Sequence, residues 1–324
     1  MEGQEYLTDY RNISNKLKKR FLRRPNVSEA SEQFRGLAKR LDDNDEPQYA
    51  AFCHLATGKE DSVQVQLTSL SLLVPGRCEA TVGNSPGEIE AVTAAARSFL
   101  KSEIQIQNLK NPSFEFQLTS AVSCYSKASK LQEDQGRPQL AGSLNMELAD
   151  TLWRLRRPNQ ALPYYQRAAE LFEKDILDCI QAKLKVAACH MKALDFHNAL
   201  LVLSDIANTA SENEPLDLNE VQENIEILRV ILLLIIEPSS HNTSPHLLNV
   251  LEKYRNTEEG LDLDKPRSPY ISIEMSDLLQ SLVMATDTIN TESLLYLEDE
   301  LVSHLDDQQR GVLRVLVSQT IKKV

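Results

Sequence analysis

The sequence predicts an all-α fold: tetratricopeptide-like helical-hairpin repeats stacked as an α-solenoid. Three observations carry the prediction. Aromatic residues make up 6 % of the 324, and there are ten Gly. Strands favour aromatic and β-branched residues and turns favour Gly, so both counts speak against a sheet. Ala, Leu, Glu, Gln and Lys dominate instead, and these favour helices. Finally, small residues recur around a large one: Ala121-x3-Tyr125-x2-Ala128, Ala161-x3-Tyr165-x2-Ala168 and Ala199-x3-Leu203-x3-Ala207. In a hairpin repeat the small residues let the next helix approach and the large one fills the gap. The spacing is longer and less regular than the tetratricopeptide period of about 34.

The elements follow in order. Leu17, Phe21 and Leu22 mark an apolar stripe on an N-terminal helix. Residues 57–76 have no helical period, although Val63–Leu67 alternates like a strand; the segment reads as an inserted loop. Ser85, Pro86 and Glu88 suit an N-cap, a first helical position and a capping box. The helix they open covers Ile89–Ile104, with Ala91, Ala95 and Phe99 on one face. Leu144–Leu155 and Ile180–Leu194 are the helices before the second and third Ala-centred ones. Arg156–Asn159 and Asp195–Asn198 turn between partners, and Pro158 breaks the first hairpin. Gln222–Ile236 is the most apolar helix. Its run Val230–Ile236 is too short for a bilayer, which needs about 20 residues, and reads as buried on several sides. Leu247–Tyr254, Ile273–Ala285, Thr291–His304 and Gln308–Ile321 have apolar residues three or four apart, such as Leu294, Leu297, Leu301 and Leu305. Residues 209–219 and 256–269 are expected to be surface loops. Such hairpins cannot bury an apolar face alone, so 1–324 is expected to be a single α-helical repeat domain.

Charge is distributed unevenly. The chain carries −12, yet Arg11, Lys16, Lys18, Lys19, Arg20, Arg23 and Arg24 put seven cations into residues 11–24 with no Asp or Glu among them. A basic arm on an acidic body is a statement about partners. It suits a helix docked against its own acidic body or an acidic partner surface better than it suits nucleic acid, because the rest of the chain repels phosphate. Near the C-terminus Glu292, Glu298, Asp299, Glu300, Asp306 and Asp307 form an acidic cluster. It reads first as solvated surface, and second as a complement to a basic partner.

Motifs for chemistry are thin. Gly83-Asn84-Ser85-Pro86-Gly87 matches G-x-S-x-G, but the elbow's oxyanion hole needs the N–H of the residue after Ser, and Pro86 has none. The six His show no metal-ligand spacing, and no GxxxxGK[ST] or GxGxxG occurs. No catalytic residue, cofactor site or metal site is expected. Cys53, Cys78, Cys124, Cys179 and Cys189 are odd in number and scattered, as reduced thiols of a cytosolic protein would be. No signal peptide or transmembrane segment is expected.

Residues 10–34 (YRNISNKLKKRFLRRPNVSEASEQF) resemble the N-terminal signature of the family of the forty-kilodalton huntingtin-associated protein, also called factor VIII intron-22 protein. Residues 87–103 (GEIEAVTAAARSFLKSE), 251–254 (LEKY) and 278–286 (LLQSLVMAT) are similar to the same family. The insertion at 57–76 and the short acidic 209–219, where some members carry a long Pro-rich loop, mark a divergent member. The resemblance implies a non-catalytic scaffold clasped one-to-one by huntingtin, itself a helical-repeat protein. It also implies a link to early endosomes through the small GTPase Rab5, and a cytoplasmic protein with an early-endosome association and a nuclear pool. The expected contact residues are Lys16, Lys18, Lys19, Arg20, Arg23, Arg24, Glu298, Asp299 and Glu300. Val230–Ile236 and the Leu stripe of Ser293–Leu305 are candidate apolar contact surfaces. The alternative is a freestanding tetratricopeptide adaptor of the vesicle-fusion type that binds peptides reversibly.

Overall fold

The computed structural model describes residues 2–17, 27–57, 85–109, 115–212, 218–237, 245–255 and 267–323. Every regular element among them is a helix, so the predicted fold class holds. The chain divides into two compact units, Met1–Asp175 and Ile176–Val324. The first contains α1 (Glu2–Leu17), α2 (Val27–Asp43), α3 (Pro47–Thr57), α4 (Ser85–Asn108), α5 (Phe116–Asp134), α6 (Pro138–Arg154) and α7 (Pro158–Leu171). The second contains α8 (Ile176–Lys192), α9 (Phe196–Glu212), α10 (Asn219–Ile236), α11 (Pro245–Arg255), α12 (Ile273–Asp287), α13 (Thr291–Val302) and α14 (Asp307–Ile321).

The first unit is a sequential stack in which each helix packs mainly on its chain neighbours. The Ala-centred pattern does what it predicts. Ala121, Ala128, Ala161 and Ala168 are fully buried, which brings backbones close, and Tyr125 and Tyr165 fill the space between. Both phenols point into α6. Tyr125 donates to Glu147 Oε1 at 2.8 Å, and Tyr165 donates to Asp150 Oδ1 at 2.6 Å. Arg97 of α4 closes on Glu147 with Nε and Nη2 at 2.7 and 2.8 Å. Burial alone would raise the Glu147 carboxyl, but hydrogen bonds from Arg97 and Tyr125 outweigh it and hold it below its usual value. Gly142 completes the packing of α6: a Cβ there would lie 2.7 Å from the Phe172 ring. At the N-terminal end an aromatic cluster joins α1, α2 and α3, with Tyr6–Tyr49 and Tyr10–Phe34 centroids 4.7 and 5.1 Å apart.

The second unit gathers around one helix. α10 packs on α9, α11, α12 and α14. Ten consecutive residues, Ile225 to Leu234, are buried. A helix surrounded in this way must be apolar on every side, which is why its sequence shows a run rather than a stripe. Leu294, Leu297, Leu301 and Leu305 enter the same core. The expectation that Val230–Ile236 and this Leu stripe present an apolar surface to a partner is therefore corrected, because both are interior to the unit.

Five hairpin turns share one geometry. Asp45, Gly136, Arg156, Leu194 and Ile289 all have φ between 53° and 71°. In each, the residue with positive φ donates its N–H three residues back and the next residue donates five back, as in Ile289→Thr286 and Asn290→Ala285. This double closure satisfies carbonyls at the end of one helix while the chain reverses into the next. Pro47, Pro138 and Pro158 then take the first helical position, where a missing N–H costs nothing. Pro158 thus starts α7 more than it breaks a hairpin.

Boundaries differ from expectation where polar residues bond back to their own helix. α9 continues to Glu212, and within its last turns Thr209 and Ser211 donate to the carbonyls of Asp205 and Ala207 at 2.9 Å. α4 opens at Ser85, and Glu88 lies 3.3 Å from Lys127 of α5. The expected loop insertion at 57–76, apart from Thr57 at the end of α3, lies outside the described residues, as do 213–217 and 256–266 of the expected surface loops. Among the described residues no helix is long and apolar enough to cross a membrane.

Candidate partner-binding surface

The expected contact residues fall into two groups. Of the basic group only Lys16 is described; Lys18, Lys19, Arg20, Arg23 and Arg24 lie outside the described residues. Lys16 is engaged within the first unit. Its Nζ donates to Gln33 Oε1 at 2.8 Å and sits 3.5 Å from Glu29, tying the end of α1 to α2. The acidic group lies on α13, where Glu298 is half-buried and Asp299 and Glu300 are exposed. No described cation sits within ion-pair distance of these three.

Their setting is the outer face of the α12–α13 hairpin. Leu294, Leu297 and Leu301 turn inward, which forces the residues between them outward. Tyr296 is 72 % exposed and Leu295 52 %. Met284 of α12 and Ile289 of the turn are also nearly half exposed. Met284, Ala285, Tyr296 and Leu297 line a shallow groove between the two helices. On α13, Glu292 precedes Tyr296 by one turn, and Asp299 and Glu300 follow it by one turn. An apolar strip therefore runs between carboxylates. Between Arg267 and Arg310 the sequence has nine Asp or Glu and no Lys or Arg. That cation-free interval was the available signal for this face. Reading 292–307 as a solvated cluster missed Met284, Leu295 and Tyr296, because which Leu of a Leu-rich helix faces out depends on packing.

One Ser, one carboxylate and one His come together between α2, α3 and α4. His54 Nε2 lies 3.3 Å from Asp42 Oδ2, and Ser98 Oγ donates to Asp42 Oδ1 at 3.4 Å. The carboxylate stands between Ser and His, so the Ser98 hydroxyl does not meet the His54 ring as a nucleophile meets its base. Burial of Cys53 pushes its thiol well above its ordinary value, as for a core residue. Among the described residues no group of three His, Cys, Asp or Glu could hold a metal ion.

One buried polar group is less well satisfied. Glu226 and Arg229 of α10 are 6 % and 4 % exposed and 3.6 Å apart. Glu226 Oε1, Arg229 Nε and Nη2, and the hydroxyl of Tyr254 find no hydrogen-bond partner. Burial lowers the Arg229 guanidinium from its ordinary value, against the fields of Glu226 and Tyr254.

The chain is similar to the 40-kDa huntingtin-associated protein of Rattus norvegicus, at 30 % identity over 377 aligned residues that cover 99 % of this chain and 94 % of that one. The same protein of Mus musculus matches to the same extent. The chain belongs to the 40-kDa huntingtin-associated protein family. Residues 95–227 also match the model of the soluble NSF attachment protein family, SNAP. That match runs from α4 into α10 and contains all three Ala-centred helices.

Proposed function

We propose that this chain is a non-catalytic scaffold that forms a stable complex with huntingtin and links it to early-endosome trafficking through Rab5. The observation that carries the proposal is similarity along 99 % of the chain to proteins named for huntingtin association. Stacked hairpins suit the role, since they present long surfaces to a large partner. The outer face of α12–α13 gives it a contact. Its apolar strip supplies area, and Glu298, Asp299 and Glu300 select a partner surface rich in Lys and Arg. The basic residues Lys16, Lys18, Lys19, Arg20, Arg23 and Arg24 make a second contact, with an acidic surface. The complex is one-to-one and cytoplasmic, with an early-endosome fraction and a nuclear pool.

The test is affinity purification of the tagged chain from its own cells, washed at high salt, with stoichiometry read by mass spectrometry. Huntingtin recovered one-to-one after the wash supports the proposal, and its loss together with every other partner overturns it. Reversing Glu298, Asp299 and Glu300 to Lys in one variant should cut recovery without loss of helix content. The match of 95–227 to soluble NSF attachment protein favours a second reading, a freestanding adaptor of the vesicle-fusion type. It predicts a monodisperse monomer whose partners leave in salt.

A further inference from the structure

Ser303 stands where a helix stops. α13 ends at Val302, and residues 303–306 carry the chain round to α14, which opens at Asp307. Ser303, His304, Asp306 and Asp307 are exposed, while Leu305 is buried and pins the turn to the core. The hold on Ser303 itself is slight. Its N–H reaches the Glu300 carbonyl at 3.4 Å, and its Oγ donates to the same carbonyl at 2.8 Å. Bonds at an exposed helix end are among the first to open.

The charges around this hydroxyl are of one sign. Glu298, Asp299 and Glu300 precede Ser303, and Asp306 and Asp307 follow it at the third and fourth places. Protein kinases choose their acceptors partly by such charge patterns, and this one suits an enzyme whose substrate groove is lined by Lys and Arg. Five Ser or Thr of the chain have Asp or Glu three places on, and the fold separates them. Thr57 is in α3, Ser85 in α4, and Thr209 and Ser211 in α9. Of the five, Ser303 is the one outside a helix.

The turn also holds a cation for the product. Arg310 Nε donates to the Val302 carbonyl at 2.9 Å, the carbonyl bonded to the Ser303 nitrogen. Its Nη1 donates to Asp307 at 3.2 Å. A guanidinium thus stands one residue from the acceptor hydroxyl. It is tied to a carboxylate whose side chain is 99 % exposed, and a surface pair of that kind is weak. A phosphate ester, with a charge of about −2 and three acceptor oxygens, is the stronger claimant. Without Arg310 the added charge would face only Glu300, Asp306, Asp307 and the negative end of α13.

We propose that Ser303 is a phosphorylation site for an acidophilic protein kinase, and that Arg310 receives the phosphate. The γ-phosphoryl group of a nucleoside triphosphate passes to Ser303 Oγ. The Oγ–P bond forms as the bond from that phosphorus to its bridging oxygen breaks. The nucleoside diphosphate leaves, and the hydroxyl proton goes to the kinase's carboxylate base. The bond from Ser303 Oγ to Glu300 is lost, and Arg310 turns from Asp307 to the phosphate.

The folded full-length chain is incubated with ATP, Mg²⁺ and a kinase of the casein-kinase type, and the modified sites are read by tandem mass spectrometry. Ser303 should take up phosphate ahead of Thr209 and Ser211. Asp306→Asn with Asp307→Asn should slow that step at least about tenfold, through loss of both charges the kinase reads. Asn serves as an N-cap as well as Asp does, so the start of α14 survives the change. Urea midpoints are then compared with and without phosphate. Phosphorylation should lower the midpoint more in Arg310→Gln than in the parent chain, with Arg310→Lys between them. If other hydroxyls are modified while Ser303 stays bare, or if Ser303 reacts only after urea has unfolded the chain, the site is wrong. Equal shifts in the parent chain and the Arg310 variants overturn the role of Arg310. If Arg310→Gln does not fold, the Lys variant decides that role.

Discussion

The two units bury their residues by opposite means. In the first, α1 to α7 stack in sequence, and close approach is set by Ala121, Ala128, Ala161, Ala168 and Gly142. The carboxylates that tie that stack are paired: Glu147 accepts from Arg97 twice and from Tyr125, and Asp150 accepts from Tyr165, although the neutral oxygens Ser14 Oγ, Gln117 Oε1 and Gln132 Oε1 are buried without a partner. In the second, α10 is enclosed by four other helices, and the space is filled by interchangeable aliphatic side chains. There the buried pair Glu226–Arg229 is left with unmatched atoms. A stack needs small residues at fixed places and tolerates polar ties at its edges. A hub needs volume on all sides and handles a charge badly.

The sharpest way to break that contrast lies in the hub. Arg229→Met leaves the Glu226 carboxylate buried and alone, and should cost about 3–5 kcal/mol. Adding Glu226→Leu to Arg229→Met should return most of that loss, because two apolar residues suit α10 better than a strained pair. Urea midpoints at constant slope measure both. If the double variant is as unstable as the single, the pair is holding the register of α10, and the hub depends on polar contacts after all.

Volume changes of opposite sign should destabilise the two units. Leu232→Ala in α10 removes a fully buried side chain and should cost about 2–5 kcal/mol. Ala161→Leu in α7 adds volume where Tyr165 already fills the gap, and should cost about 1–3 kcal/mol. Trp153, the single Trp, belongs to α6 of the first unit. Its fluorescence reports the Ala161→Leu effect directly, while far-ultraviolet circular dichroism follows both variants. An Ala161→Leu variant with an unchanged Trp153 transition would show that the Ala-centred pattern does not set the approach of the helices.

The same difference explains what could be read from the sequence. The stack was legible because its packing is chemically particular: Ala-x3-Tyr-x2-Ala can be recognised at residue level. The hub was legible only as an apolar run at Val230–Ile236. Nothing in that run says which helices surround it, so an interior helix could be mistaken for contact surface. The outward face of α13 was half legible. Its charges stand in the sequence, but which Leu faces out depends on α12 and α14. Two of the five turns stand in the sequence, at Arg156–Asn159 and Asp195–Asn198, but their shared geometry was hidden, because Arg156, Leu194 and Ile289 are poor candidates for a left-handed residue.

Those turns supply a smaller test. In the first unit Gly136 takes the left-handed position between α5 and α6, and in the second Leu194 takes it between α8 and α9. Leu194 is 65 % exposed, so its side chain contributes little packing. A non-Gly residue there costs about 1–2 kcal/mol of backbone strain, and Gly gives back part of the gain through a freer unfolded chain. Leu194→Gly should therefore stabilise the protein by about 0.5–1 kcal/mol, read as a rise in urea midpoint. The reverse change at Gly136, to Leu, should destabilise by a similar amount. If Leu194→Gly lowers the midpoint, the Leu194 side chain is buried by something in solution, and that face of the second unit is occupied.

The smallest effect expected is a dependence on acid. Burial lowers the His54 imidazole below its ordinary value, and the hydrogen bond and field of Asp42 offset only part of that. Arg35 pushes the same way as burial, and Glu90 pushes against it. The fold therefore favours neutral His54, while the unfolded chain takes up a proton near pH 6.5. Stability from this residue is complete above about pH 6.5 and falls as the pH drops below it, because only the unfolded state gains the proton freely. The Trp153 transition in urea should move to lower denaturant between pH 7.5 and 5.5. His54→Gln, which keeps a group able to reach Asp42, should flatten that slope while changing the midpoint at pH 7.5 little. An identical slope in the variant would place the acid sensitivity elsewhere. It would also mean that the hydrogen bond and field of Asp42 balance the burial of His54 in full, whereas a slope steeper in the variant would mean that Asp42 holds His54 charged in this corner of the stack.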